Sequence, residues 1–235
     1  MTTTPSIVTR PADARGRTDL GWLDSRHTFS FGGYHDPEHM GFRALRVIND
    51  DRVAPGGGFG MHGHRDMEIV SLVLAGGLAH RDSLGHEGLV RPGGVQYMSA
   101  GVGIRHSEFN ASETDPVHFL QIWIEPDAPG GEPRYEDVDP TVRLEAGGLV
   151  PIVTGSGRDG SIAMRADAEL LLARTDAEEV LRIADDFPAG WIHVIDGGVT
   201  VGGAMLGPGD GASMTGTEFE IHGTAGSRLL VFRLR

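Results

Sequence analysis

Turn-forming residues interrupt this chain so often that little room is left for helices. Glycine occurs 36 times and proline 13 times in 235 residues, and clusters of them separate short stretches of apolar residues. Short apolar stretches between such turns are typical of strands. The pattern therefore predicts an all-β fold, either a sandwich or a barrel. We expect strands near 42–49, 67–75, 78–82, 95–99, 104–109 and 117–125, and again near 149–153, 161–164, 169–174, 180–185, 191–195 and 228–234.

The order of the turns indicates two similar halves. Residues 127–139 are rich in proline, glycine and acidic residues, as a connector is. On either side of it, VLAGG corresponds to VIDGG, and RPGG corresponds to GPGDG. This repeated set of turns predicts a duplicated β-barrel. We expect domains at 1–130 and 131–235, and we interpret residues 1–17 as a mobile end or a first edge strand.

Composition excludes several kinds of chemistry. The 20 basic residues are all arginine and cysteine is absent, so the chain cannot use a lysine Schiff base, a P-loop lysine or a thiolate nucleophile. The net charge of −13 argues against direct contact with nucleic acid. No apolar run reaches the length of about 18 residues that predicts a membrane span, and no signal peptide is recognisable. We therefore expect a cytoplasmic protein.

Two pairs of possible metal ligands carry the strongest chemical signal. His62 and His64 are two residues apart, and so are His106 and Glu108. Residues i and i+2 of a strand point to the same face, so each pair projects two ligands together. If both strands line one barrel wall, three imidazoles and a carboxylate converge, a set that suits a divalent metal. A six-coordinate ion would keep two positions open, unlike a closed structural zinc site.

Other residues near these pairs are interpreted as structural. Glu68 lies four residues after His64 in an alternating stretch, so we expect it to have a structural or supporting role. The string GFGMHG at 58–63 matches the dinucleotide-binding pattern G-x-G-x-x-G, but a β-rich stretch follows it where that motif needs a helix. The histidines expected to be structural or solvated are His27, His35, His39, His80, His86 and His118.

The second half offers too few ligands for a second metal. Counting from the matched glycines and prolines gives the counterparts of the four ligands as Ile183, Asp185, His222 and Thr224. One histidine does not hold a metal ion, so we expect a degenerate C-terminal barrel without metal.

At these residues the sequence resembles a known family. HGHRDMEIVSLVLAGG resembles the first cupin motif, and AGVGIRHSEFN resembles the second, with Gly101 where many cupins have proline. GWLDSRHTFSF, MGFRALRVINDD, HRDSLG and LQIWIEP extend the likeness to the pirin family. The resemblance is dense over 21–126, and it is closest to the bacterial pirin-like proteins regarded as quercetin 2,3-dioxygenases.

The resemblance implies two cupin barrels in one chain, each a double-stranded β-helix or jelly roll. It implies one divalent transition metal in the N-terminal barrel, with His62, His64, His106 and Glu108 as ligands. The ion would be Fe(II), with Mn, Co, Ni, Cu or Zn as alternatives. The implied activity is the opening of the ring of a flavonol such as quercetin by dioxygen, with release of carbon monoxide. Glu108 would be both ligand and general base, and the protein would be a monomer.

Two alternatives remain open at this point. Eukaryotic pirins are viewed as iron-dependent partners of transcription factors, so the chain could instead be a redox sensor that binds a regulatory protein. It could also be a cupin that acts on another metabolite. An apolar cavity of flavonoid size above the metal would favour the dioxygenase, whereas a surface that responds to the metal would favour the sensor.

Overall fold

Nearly every segment between the glycine-rich turns is a strand in the computed structural model, which describes residues 6–183, 187–216 and 219–235. Within these residues the only α-helix is α1 (Thr141–Leu144), so the predicted all-β fold is confirmed. No helix in the described part of the chain is long and apolar enough to cross a membrane.

The strands of the first half are β1 (Ser6–Arg10), β2 (Gly16–Asp19), β3 (Leu23–His27), β4 (Leu45–Val53), β5 (Gly58–His64), β6 (Glu68–Ala75), β7 (Leu78–Asp82), β8 (Glu87–Val90), β9 (Val95–Ser99), β10 (Ile104–Asn110), β11 (Val117–Ile124) and β12 (Arg134–Val138). Those of the second half are β13 (Leu149–Thr154), β14 (Ile162–Ala163), β15 (Ala168–Thr175), β16 (Glu179–Ile183), β17 (Ala189–Asp196), β18 (Val199–Val201), β19 (Ala204–Leu206), β20 (Gly211–Thr215), β21 (Phe219–Gly223) and β22 (Ser227–Leu234).

One compact unit contains Gly16–Thr141 and Ile162–Ala166, and we call it the N-terminal unit. It has a seven-stranded sheet in the order β12-β9-β6-β11-β4-β3-β2 and a four-stranded sheet in the order β5-β10-β7-β8. Residues alternate between buried and less buried along β7 and β10. Alternation of this kind turns every second side chain toward the interior, so the smaller sheet can present several polar groups to one enclosed space.

The other compact unit, the C-terminal unit, contains residues 6–15, Val142–Ser161 and Asp167–Arg235. Its larger sheet includes β1-β20-β17-β22-β15-β13 in that order, and its smaller sheet has the order β16-β21-β18-β19. Strand β1 pairs with β20 at the sheet edge, as expected of a first edge strand. This strand belongs to the C-terminal unit, whereas the predicted first domain includes it. The domain limits 1–130 and 131–235 therefore remain a proposal.

The repeat seen in the sequence corresponds to the same hairpin in each unit. Gly76 joins β6 to β7 with φ +75°, and Gly197 joins β17 to β18 with φ +70°. A Cβ atom at Gly76 would lie 2.7 Å from the Pro116 carbonyl oxygen. Only glycine adopts such a conformation and allows such a close approach at low cost, so the paired glycines fix this hairpin in both halves.

Candidate metal centre

Strands β5 and β10 bring three of the four predicted ligands together. His106 lies opposite His62 in the antiparallel pair, and Ile104 lies opposite His64. The imidazole centroids are 4.5 Å apart for His62 and His106, 4.8 Å for His62 and His64, and 5.0 Å for His64 and His106. One nitrogen from each ring lies within 4.8 Å of the other two. The i, i+2 spacing and the β5–β10 pairing therefore bring together three of the four groups that were expected to converge.

Close approach of the two strands depends on a glycine in β5. A Cβ atom at Gly58 would lie 2.5 Å from the carbonyl oxygen of Glu108 and 2.6 Å from the Cα atom of Phe109. No side chain fits there without separating β5 from β10. Gly58, the first glycine of the GFGMHG string, thus serves the packing of the ligand strand, in agreement with the interpretation that the string is not a dinucleotide site.

Glu108 has a different histidine beside it, because β10 pairs with β7 as well as with β5. The β5–β10 register shifts between His106 and Glu108 and places Phe59 opposite Glu108. The β7–β10 pairing is regular and places His80 opposite Glu108. The Glu108 carboxylate lies within 4.8 Å of ligand nitrogens of His80 and His106.

Three polar side chains hold the Glu108 carboxylate. Its Oε1 atom accepts hydrogen bonds from Ser71 Oγ at 3.2 Å and from Gln96 Nε2, and its Oε2 atom accepts one from Gln121 Nε2 at 2.8 Å. Glu108 is 1% exposed. Burial raises the pKa of Glu108 to about 7, although the three hydrogen bonds act in the opposite direction. The carboxyl group is therefore fixed in orientation and close to its protonation midpoint at neutral pH.

Two of the imidazoles, those of His64 and His106, are kept neutral by their surroundings. Burial lowers the pKa of His64 to about 4 and that of His106 to about 2, and the neighbouring His62 lowers both further. Both ring nitrogens of His106 are buried and have no hydrogen-bond partner in the described part of the chain. A buried polar atom without a partner costs about 1–3 kcal/mol. Neutral, unpartnered imidazole nitrogens beside a carboxylate are what a divalent metal requires, so these residues fit the expected ion.

Metal affinity is expected to fall about tenfold per pH unit below pH 7, because the metal must displace the proton of Glu108. An ordinary histidine would compete with the metal only below about pH 6.5, whereas His64 and His106 stay neutral well below that value. Competition with a chelating dye between about pH 8 and 5.5 measures the slope. An affinity that stays constant over this range would contradict the assignment.

Aromatic side chains stand beside the more exposed part of the cluster. The ring of Trp123 meets that of His64 edge-on at 4.9 Å, and Phe31 meets Trp123 edge-on at 5.2 Å. On the other side, Phe59 lies 6.5 Å from His62. Phe31, Phe59 and Trp123 are partly exposed, as are His62 and His64. The histidine cluster is thus bordered by apolar rings that a flat aromatic ligand can contact.

The structure places His80 beside His106 and Glu108, although it was expected to be a structural or solvated histidine. It is 4% exposed, and its ring lies 5.3 Å from that of His106. His80 and Asp82 form a third pair with i, i+2 spacing, on β7. The spacing rule used for the other pairs would have identified it, but histidine and aspartate two residues apart are too common to select without knowing that β7 pairs with β10.

Glu68 lies away from the three histidines and has structural partners. It is fully buried, and its carboxylate accepts hydrogen bonds from Tyr97 Oη, from Ser99 Oγ at 2.8 Å and from the Arg165 backbone N–H at 3.2 Å. Its oxygens are therefore used in joining β6, β9 and the segment that contains Arg165.

Apolar residues occupy the corresponding positions of the C-terminal unit. Glu108 and His80 face each other two residues from the start of β7. In the C-terminal unit, the residue two positions after the start of β18 is Val201, and it lies opposite Ile221 of β21. Both are fully buried members of the apolar core. The absence of a metal from this unit stays a prediction, now supported by side chains that have no ligand atom.

The prediction that His222 occupies the position of His106 is wrong. Its side chain is 57% exposed, because β21 buries Phe219, Ile221 and Gly223 and turns His222 outward. The prediction placed His222 at the same distance after Pro208 as His106 is after Pro92, which requires turns of equal length before β10 and β21. The strand pairing instead makes Ile221, and not Thr224, the counterpart of Glu108, a difference of three residues. Ile183 is buried in the same apolar core, and Asp185 lies outside the described residues.

Two family profiles match this chain, one in each half. The profile described as pirin matches residues 8–124, and the profile described as the quercetinase C-terminal cupin domain matches residues 151–234. Together with the strand order, they confirm the predicted pair of cupin domains.

Proteins of known name are similar over almost the whole chain. A quercetin 2,3-dioxygenase of Escherichia coli (strain K12) is 44% identical over 97% of this chain and 98% of its own length. A pirin-like protein of Caulobacter vibrioides is 40% identical over 88% of this chain and 90% of its own length. The crystal structure of the bacterial pirin YhhW from Escherichia coli in complex with nickel(II) superposes with a TM-score of 0.93, at 42% identity, and covers 97% of this chain and 99% of that one.

Proposed function

Because this chain belongs to the pirin family, we propose that it is a metal-dependent dioxygenase that opens the ring of a flavonol such as quercetin and releases carbon monoxide. The observation that carries the proposal is a cluster of three imidazoles, one of which, that of His106, also lies within 4.8 Å of the buried, hydrogen-bonded carboxylate of Glu108. Relatives 44% and 40% identical are named quercetin 2,3-dioxygenase and pirin-like protein, respectively.

The proposed ligands are His62, His64, His106 and Glu108, which we call the four-residue site. This set accepts several divalent ions of the first transition row, and nickel(II) is the ion named for the similar bacterial pirin. When bound, such an ion supplies a Lewis acid with open positions for small oxygen ligands. His62 and His64 are partly exposed whereas His106 and Glu108 are buried. A substrate would therefore approach the four-residue site from the side of His62 and His64.

Glu108 is the proposed general base for the 3-hydroxyl proton of the flavonol. A base works best when its pKa lies near the operating pH, and burial raises the pKa of Glu108 to about 7. Hydrogen bonds from Ser71, Gln96 and Gln121 fix the carboxylate, so little reorganisation is needed when it takes up the proton.

Trp123 and Phe31 are the proposed contacts of the flavonol rings. Their rings form an apolar wall beside His64, and aromatic side chains bind flat apolar ligands with favourable packing and little loss of conformational freedom. A substrate held against this wall would exclude water from the space above the histidines, which strengthens the electrostatic effect of the buried carboxylate.

Oxygen uptake with quercetin tests the proposal directly. Metal-free protein is reloaded separately with iron, manganese, cobalt, nickel and copper, and His106→Ala protein is treated in the same way. We expect uptake and carbon monoxide release with at least one metal, and neither with the variant. If protein shown to contain a metal consumes no oxygen with any of the five, the proposal is wrong.

A further inference from the structure

His80, His106 and Glu108 form a second group of three possible metal ligands, which we call the inner site. One ligand atom from each lies within 4.8 Å of the other two. The three residues are 4%, 1% and 1% exposed. Strands β7 and β10 account for the arrangement, because His80 lies directly opposite Glu108 and directly opposed side chains share one face of a sheet.

The ring nitrogens of this group lack hydrogen-bond partners. Both nitrogens of His80 and both nitrogens of His106 are buried without one in the described part of the chain. Two buried imidazoles with unpartnered nitrogens next to a carboxylate are more than a packing arrangement requires, since each unpartnered buried group opposes folding.

Asp82 supports His80 in the way that carboxylates support metal-binding histidines. Its Oδ2 atom lies 3.5 Å from His80 Nε2, at the outer limit of a hydrogen bond. Its Oδ1 atom accepts hydrogen bonds from the backbone N–H groups of Leu84 and His86 at 2.8 and 3.0 Å, which fix its position. A carboxylate behind one imidazole nitrogen is a common companion of a histidine that binds metal through the other nitrogen.

Tyr135 fixes the plane of the His80 ring. The two rings are stacked with centroids 4.4 Å apart and planes 22° apart. Stacking on Tyr135 and the nearby Asp82 carboxylate limit the rotation of this ring.

We propose that the inner site binds a divalent transition metal, with one nitrogen of His80, one nitrogen of His106 and the Glu108 carboxylate as ligands. Metal bonds of about 2.0–2.2 Å keep ligand atoms roughly 3.0–3.4 Å apart at ordinary angles. Closing a group that already lies within 4.8 Å therefore needs shifts on the order of 1 Å in side chains. Since His106 and Glu108 belong to both sites, one ion occupies one site at a time.

The two sites differ in access to solvent. The four-residue site includes the partly exposed His62 and His64, whereas all three residues of the inner site are buried. An ion in the inner site is closed off from solvent, and an ion in the four-residue site can meet a substrate. The inner site is therefore a protected position for the metal when no substrate is present.

Cobalt(II) binding to variants of the full chain tests the inner site. In His62→Ala/His64→Ala protein we expect close to one cobalt ion per chain, by metal analysis after gel filtration and by the visible absorption of cobalt(II). Adding His80→Ala should remove it. Adding His86→Ala instead should not, although His86 also contacts Asp82 and Tyr135. Adding Asp82→Asn should weaken binding about 10- to 100-fold.

The outcomes separate this inference from the proposed function, with which it shares two ligands. Circular dichroism and thermal unfolding establish that each variant is folded. A folded double variant without cobalt, or equal cobalt with and without His80, would overturn the inner site. Failure of every metal form to consume oxygen would overturn the dioxygenase proposal and leave these cobalt occupancies unaffected.

Discussion

Replacing His106 by alanine is expected to remove most of the bound metal, with a loss of affinity of at least about 100-fold. The imidazole neighbours those of His62, His64 and His80, and neither of its nitrogens has a hydrogen-bond partner among the described residues. Changes to residues that merely support a ligand cost about 10- to 100-fold in affinity, so the loss of a ligand common to every proposed arrangement should cost more. Metal analysis after gel filtration measures the loss.

His222→Ala is the matched control for this experiment. It removes the same side chain from a strand of the other unit, where the ring is largely exposed. Metal added at about 1,000 times the dissociation constant stabilises a protein by about 4 kcal/mol. Such a stabilisation raises the melting temperature when metal is added. The control should retain this increase and His106→Ala should lose it. Similar metal contents in the two variants would place the metal elsewhere.

The all-β fold and the common face of His62 and His64 could be predicted because they depend on local patterns. Glycine and proline turns at short intervals predict strands without knowledge of their partners. The i, i+2 spacing of His62 and His64 places both on one face whatever the register. His106 joins them because β10 happens to pair with β5 at that point, a contact that the sequence suggests only through the family resemblance.

Features that depend on pairing between distant strands could not be predicted. The register shift between β5 and β10 beside Glu108 is one such feature, and no residue near Glu108 in the sequence signals it. Only the pairing of β7 with β10 makes His80 a neighbour of the ligands. In the C-terminal unit the assumption of equal spacing failed for the same reason, because strand register, and not distance from a turn, decides that His222 points outward.

Replacing Glu108 by glutamine is expected to lower kcat by about 10²- to 10⁴-fold, the usual contribution of a general base. Glutamine keeps the size of the side chain but cannot take the substrate proton. Three donors, from Ser71, Gln96 and Gln121, also face this position. An amide must turn its own N–H₂ group toward at least one of them and leave donors without an acceptor, which weakens the alignment.

Activity per bound metal ion separates the loss of a base from the loss of a ligand. Both the metal content and kcat are therefore measured for Glu108→Gln and for Glu87→Gln, a control on β8 whose carboxylate is exposed and pairs with Arg81.

For the unmodified protein we expect kcat to fall on the acid side of pH 7, because the base must be ionised to act. The midpoint of this fall in kcat should lie below about 7, the pKa of Glu108 without metal, since a bound cation favours the ionised carboxylate. Glu108→Gln should lose this acid limb. A kcat per bound ion that matches the control, or an acid limb that persists in Glu108→Gln, would show that another group takes the proton and would leave Glu108 as a ligand alone.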